Sequence, residues 1–282
     1  MGTLICPVCG NDLNASGNSY ICRNNHCFDI AKSGYVNLLL SKHIGKTTHG
    51  DNKLMLQARR NFLEKGYYSA LRDELCSMVS RNFGGGVILD AGCGEGYYTS
   101  AVYDALRQAE IPVEMYGIDI SKIAVEMAAK RKKDITYSTA SVFHIPVRDE
   151  SCNMVITLFA PYCGEEFRRV LVPDGILIMA IPSEDHLWEM KQAIYDIPYK
   201  NQVKPYELDG FRLVEKKRIT YRAELESRED IQSLFAMTPY YYRTAVGQKE
   251  RLGQFDRLET TMDFELLFYE KKQIMAGRSL DN

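Results

Sequence analysis

Cys6 and Cys9 flank Pro7 and Val8, and Cys22, His26 and Cys27 follow after a short polar loop. Thiolates and imidazoles at this spacing close a tetrahedral shell around zinc, because the C-x-x-C turn aims two sulfurs at one point. Four such ligands within about 20 residues also staple a segment too small to build its own core. The spacing leaves the fourth ligand open between His26 and Cys27. With four protein ligands no coordination position remains for water, so the expected role is structural.

A second constellation lies between Val87 and Thr99, where Asp90 precedes Gly92, Gly94 and Gly96 in a G-x-G-x-G turn. Glycines there let the backbone turn sharply and approach a ligand closely. The dinucleotide fingerprint needs its third glycine one place later, so this loop points to S-adenosylmethionine rather than NAD or FAD. Asp119 stands 23 residues beyond Gly96, at the end of the next apolar run, where a Rossmann-like fold sets a carboxylate against ribose hydroxyls. Ser121 is the better helix cap, which leaves Asp119 for the ribose.

These residues need strand ends to hold them. Apolar runs at Val87–Leu89, Val113–Ile120, Ile135–Ala140, Met154–Phe159 and Ile176–Ile181 predict five strands that alternate with helices. The helices are expected through Ala101, Leu106 and Ala109, over Lys122–Lys132, and over Glu165–Leu171. Ser141 and Val142 open the loop after the third strand and are placed to hold an adenine. Phe159, Ala160 and Pro161 follow the fourth strand, where rigid backbone can position a planar substrate. His186 follows the fifth and faces the same crevice. Upstream, a helix through Met55, Ala58 and Phe62 ends near Gly66, and a second runs from Ala70 to Val79. Tyr68 between them could close over the ligand. Phe211–Val214 and Lys217–Tyr221 are read as the final strands, and Tyr240, Tyr241, Tyr242 and Arg243 as packing residues that could instead stack on a base.

The domain reading is therefore a zinc-binding module over 1–40, a linker with cofactor-covering helices over 41–80, an α/β Rossmann-like methyltransferase domain over 81–274, and a tail over 275–282. With 45% hydrophobic residues the chain can bury a full core. No apolar run approaches the roughly 20 residues of a membrane span, and no leader precedes Cys6, so the expected compartment is the cytoplasm without membrane contact. Eight cysteines in such a setting read as metal ligands and buried thiols. The formal charge of -2 excludes a global basic footprint, yet residues 1–60 hold seven Lys or Arg against three acids, which favours an anionic partner there.

The combination resembles the RlmA family of ribosomal RNA guanine-N1 methyltransferases over nearly the whole chain. The resemblance rests on C-P-x-C with Cys22 and the N-H-C-F-D of residues 25–29, on A-K-S-G-Y-V-N-L-L, and on Gln57-Ala58-Arg59-Arg60. It continues through L-D-A-G-C-G-E-G-Y-Y-T, Phe159-Ala160-Pro161 and Met237-Thr238-Pro239. It implies a class I methyltransferase fold and zinc on Cys6, Cys9, Cys22 and His26, with Cys27 a neighbour. It implies cofactor contacts at Tyr68, Gly94, Glu95 and His186, a 23S rRNA hairpin as substrate and a homodimer. Phe143 departs from members that carry His there. No residue declares itself as the acceptor of the guanine N1 proton, so the catalytic residue is unknown. Two other readings compete: methylation of a small metabolite or protein with the zinc knuckle as a brace, and a non-catalytic RNA-binding protein.

Overall fold

The computed structural model describes residues 2–43, 53–203 and 205–273. Residues 44–52 of the expected linker, which begins at Ser41, and the whole expected tail over 275–282 lie outside the described residues. In chain order the strands and helices are β1 Leu13–Ser16, β2 Ser19–Cys22, β3 Cys27–Asp29, β4 Val36–Asn37, α1 Lys53–Glu64, α2 Ser69–Asn82, β5 Gly86–Ala91, α3 Tyr97–Gln108, β6 Val113–Asp119 and α4 Lys122–Arg131. There follow β7 Thr136–Thr139, β8 Cys152–Leu158, α5 Gly164–Val170, β9 Leu171–Pro182, α6 Trp188–Ile194, β10 Phe211–Leu225, α7 Arg228–Ala236, α8 Tyr240–Arg243, α9 Val246–Leu252 and β11 Leu258–Lys271.

Among the described residues, eight strands form one sheet in the order β10-β11-β9-β8-β5-β6-β7-β4. The pairs from β4 through β9 are parallel, whereas β11 runs antiparallel between β9 and β10. Strand order reverses at β5, and in such sheets ligands bind outside the carboxyl ends of the strands at that point. Ile88, Leu89, Met154, Val155 and Ile156 are fully buried because helices cover both faces of the central strands. Two apolar layers result, one holding α2, α3 and α6 residues and the other joining β8 and β9 to the N-terminal segment.

The expected final strands, Phe211–Val214 and Lys217–Tyr221, are one strand, β10, with an irregularity between Leu213 and Glu215. The true last strand is β11, which sequence reading did not identify. It alternates Met262, Phe264, Leu266 and Phe268 against Asp263 and Glu265, and all six are buried. Asp263 is tolerated there because Arg218 donates to both of its oxygens at 2.8 Å and Thr220 donates at 2.6 Å.

The N-terminal segment is a three-stranded antiparallel unit, β1-β2-β3, whose continuation β4 pairs with β7. It is not held at arm's length. Ile5 N–H donates to Pro146 O and Arg148 N–H to Thr3 O, each at 3.0 Å, and Leu4, Leu13 and Cys22 share a core with Val142, Ile145 and Val147. Helix α1 lies against α7, where Lys65 Nζ meets Asp230 at 2.6 Å and Tyr67 donates to the same carboxylate at 3.0 Å. Leu71, Leu75 and Met78 of α2 are fully buried on the sheet side, as their spacing predicts.

Candidate cofactor site and zinc centre

The turn from β5 into α3 is built to stay close to its neighbours. At Gly92 φ is +92°, and a Cβ there would stand 2.4 Å from the Ala160 Cβ, so only glycine fits. At Gly96 φ is +84° and a Cβ would come within 3.0 Å of Ala128 on α4. Gly94 N–H donates to Asp119 Oδ2 at 3.0 Å, and Ser121 N–H donates to Asp119 Oδ1 at 2.8 Å. Asp119 thus locks the glycine loop to the end of β6, a task its spacing alone did not reveal. Ser121 caps α4 as expected, its hydroxyl accepting from Ala124 N–H at 3.3 Å.

Two acids beside this loop are buried with one oxygen unpartnered. Asp90 accepts from the Thr99 hydroxyl at 2.6 Å through Oδ2, while Oδ1 has no partner. Burial pushes the Asp90 carboxyl up to about 7, the Thr99 bond opposes this, and the Asp119 charge adds to it. Glu95, 1% exposed, takes Arg131 through Oε2 at 2.5 and 3.1 Å, and its Oε1 has no partner.

The remaining expected residues line the same edge of the sheet. Ser141 and Val142 are buried after β7, with Ser141 Oγ accepting from Phe143 N–H at 3.2 Å, and the Thr139 hydroxyl just before them is a further unpartnered buried group. Phe159 sits after β8 with φ +56° and a half-exposed ring against Phe264, while Ala160 packs on Gly92. Tyr68 is 3% exposed and packs within the core, so it does not stand free as a lid. Its hydroxyl lies 3.3 Å from His186 Nε2, and burial holds the His186 imidazole down to about 3. Sequence reasoning did not single out Thr99, Arg131 or Asp263. Arg131 lies in the last turn of α4, where a cation reads as an ordinary partner of the helix dipole. Tyr240 donates to Asn201 Oδ1 at 2.6 Å and Tyr241 packs on Phe235 at 5.6 Å, which makes both packing residues. The Tyr242 and Arg243 side chains lie outside the described residues.

At the other end of the chain, the Sγ atoms of Cys6, Cys9 and Cys22 and a ring nitrogen of His26 lie within 4.8 Å of one another. Tetrahedral zinc demands sulfur–sulfur edges of about 3.8 Å and sulfur–nitrogen edges of about 3.6 Å. The Cys9–Cys22 separation is 3.7 Å, and His26 Nδ1 lies 3.5 Å from Cys6 and 3.4 Å from Cys22. Cys27 is exposed on β3, which settles the fourth ligand as His26. Asn11 Nδ2 donates to Cys9 Sγ at 3.1 Å and steadies the knuckle from outside.

Comparison with known proteins matches both parts. Residues 4–43 match the zinc ribbon described as RlmA, N-terminal, and residues 82–227 match a methyltransferase domain. A Bacillus subtilis protein, YxjB, provisionally named a 23S rRNA (guanine-N1)-methyltransferase, is 31% identical over 93% of this chain and 95% of its own length. The chain belongs to that family. The Streptomyces fradiae 23S rRNA (guanine(748)-N1)-methyltransferase is 34% identical over 68% of this chain and 67% of its own. A Micromonospora griseorubida protein, also provisionally named a 23S rRNA (guanine-N1)-methyltransferase, is 35% identical over 66% and 68%. The cofactor of such a methyltransferase is S-adenosylmethionine, and the crevice suits it on its own terms. Unpartnered carboxylate oxygens on Asp90 and Glu95 suit an ammonium and a hydroxyl, and the turn is open at Gly94, where a Cβ would meet nothing nearer than the Arg59 guanidinium at 3.9 Å.

Proposed function

We propose that this chain transfers the methyl group of S-adenosylmethionine to N1 of a guanine in a hairpin loop of 23S rRNA. The observation that carries the reading is end-to-end similarity to YxjB, which spans the zinc ribbon as well as the catalytic sheet. S-adenosylmethionine supplies an already activated sulfonium methyl, so the protein's share is orientation and exclusion of water. In this reading Asp119 and the amides it fixes hold the ribose end, Ser141 and Val142 flank the adenine, and Asp90 and Glu95 hold the cofactor's polar groups. Phe159, Ala160 and Pro161 position the guanine, which the half-exposed Phe159 ring supports. The zinc ribbon would set the RNA by its backbone, since phosphate contacts orient without reading sequence. No helix among the described residues is long and apolar enough to cross a membrane. A cytoplasmic location follows from the ribosomal substrate, and a homodimer from the family resemblance; sedimentation of the purified protein checks the latter.

The test is transfer of radiolabelled methyl to a 23S rRNA hairpin transcript, followed by primer extension, which stops at N1-methylguanine. A stop at one guanine is the expected result. Label that enters only metabolites or protein, or that leaves the hairpin unmodified, refutes the proposal.

A further inference from the structure

We propose that Arg169 and Glu166 of α5 are positioning residues for the adenine end of the cofactor, acting through the backbone of the Ser141–Val147 loop. The proposal rests on the reading in which Ser141 and Val142 flank the adenine of S-adenosylmethionine.

A guanidinium carries five N–H donors in one plane. In Arg169 every one of them is used. Nε–H goes to Glu166 Oε1 at 2.7 Å, Nη1 to Val147 O and Asp149 Oδ1 at 2.7 Å each, and Nη2 to Ile145 O and Glu166 Oε2 at 2.8 Å each. Glu166 completes the clamp, because its Oε2 also accepts from Ile145 N–H at 2.6 Å. One ion pair thus holds Ile145 N–H, Ile145 O and Val147 O together. Charged i,i+3 pairs on a helix ordinarily face solvent. These two side chains are only 27% and 18% exposed, and they are turned onto a loop at the ligand-binding edge of the sheet.

The loop passes this grip on to its other end. His144 N–H donates to Ser141 O at 3.0 Å and Phe143 N–H to Ser141 Oγ at 3.2 Å, so the chain from Ser141 to Ile145 is one closed turn. A turn this tight moves as a unit, and fixing Ile145 fixes Ser141 and Val142 with it. On the opposite side the zinc ribbon takes the alternate groups, with Ile5 N–H on Pro146 O and Arg148 N–H on Thr3 O. Ile145 and Val147 face α5 while Pro146 and Arg148 face the ribbon, which is the alternation of an extended chain gripped along both edges. The acceptor loop at Phe159–Pro161 is anchored on α5 by a separate contact, in which the Tyr162 ring packs on Phe167 at 5.6 Å. Loss of the clamp therefore disturbs the donor side and leaves the acceptor side in place.

The test uses full-length, zinc-loaded protein and two probes measured by calorimetry. S-adenosylhomocysteine carries the whole donor skeleton, and 5′-methylthioadenosine keeps the adenine but lacks the amino-acid end. Arg169→Gln and Glu166→Ala are each expected to weaken both probes about tenfold, the worth of one hydrogen bond to a charged group. Arg169→Lys keeps the charge without the planar fork and is expected to behave as Arg169→Gln does. The KM for the hairpin transcript should stay within about twofold in all three, which a general loosening of the fold would not allow. Asp149→Ala removes a bond to the same guanidinium without touching the loop and should leave both affinities unchanged. Should Arg169→Gln fail to unfold cooperatively in urea, the lysine and Glu166→Ala variants carry the test. Unchanged probe affinities in folded variants, a loss confined to S-adenosylhomocysteine, an equal loss in Asp149→Ala, or a parallel rise in the KM for RNA overturns the proposal. Wild-type protein that binds neither probe instead refutes the cofactor reading itself, a result seen without any substitution.

Discussion

Asp90→Asn should stabilise the cofactor-free protein while it weakens the cofactor site. Burial raises the Asp90 carboxyl from 3.8 to about 7. Between those values the folded state holds a proton that the unfolded chain has released, so stability falls as pH rises and levels off above the folded value. The full penalty for the ionised group is about 4 kcal/mol. Asparagine removes the charge and keeps an oxygen for the Thr99 hydroxyl, but it leaves an amide N–H₂ where Oδ1 has no partner, at a cost of about 1–3 kcal/mol. A net gain of about 1–3 kcal/mol near pH 8.5 remains. Between about pH 6 and 8.5 the wild type should also lose about 1.4 kcal/mol that the variant keeps. Urea unfolding with zinc present, at both ends of that range, measures both quantities, and calorimetry with S-adenosylhomocysteine measures the lost affinity. A variant no more stable than wild type at the upper pH, with a difference that does not change with pH, would refute the reasoning.

Three further outcomes follow from individual contacts. Arg131→Gln leaves the buried Glu95 carboxylate without its cation and should cost roughly 3–5 kcal/mol in urea unfolding, most of which Glu95→Gln in the same chain should restore. Gly92→Ala forces a Cβ against Ala160 and should cost about 2–4 kcal/mol; Ala160→Gly should recover the clash but not the roughly 1 kcal/mol of backbone strain, as thermal unfolding of the four chains will show. Removal of zinc by a chelator, or Cys22→Ser, should speed amide exchange at residues 141–147 and weaken S-adenosylhomocysteine binding, since Cys22 and Leu13 share one apolar core with Val142 and Ile145. Unchanged exchange in that loop would mean that the ribbon is a passive appendage.

The strands that carry the site were legible because they are local. Ile88-Leu89 and Met154-Val155-Ile156 are unbroken apolar runs, and both became central, fully buried strands. The zinc ligands were legible for the same reason, except that spacing could not separate His26 from Cys27; only the fold shows Cys27 turned outward on β3. What the sequence concealed is long-range compensation. Asp263 and Glu265 break the apolar reading of β11, and nothing nearby announces that Arg218 and Tyr206, about 45 and 59 residues away, will satisfy them. The double duty of Asp119 was hidden likewise, because its bond to Gly94 N–H depends on how two strand ends meet.

The same long-range logic bears on how an RNA could be aligned with the methyl donor. Orientation catalysis needs the substrate-gripping surface held at a fixed distance from the cofactor, since small misplacements are expensive. Here the ribbon is bonded directly to the sheet domain: Ile5 N–H donates to Pro146 O and Arg148 N–H to Thr3 O, and Leu38 N–H donates to Thr139 O, each at 3.0 Å. Zinc fixes Cys6 and Cys22, the core fixes Leu4 and Leu13 beside them, and the loop at Ser141–Val147 is packed from that side. Under the proposed function, a metal with no open coordination position would act on a reaction it never touches, by holding the Ser141–Val147 loop in place.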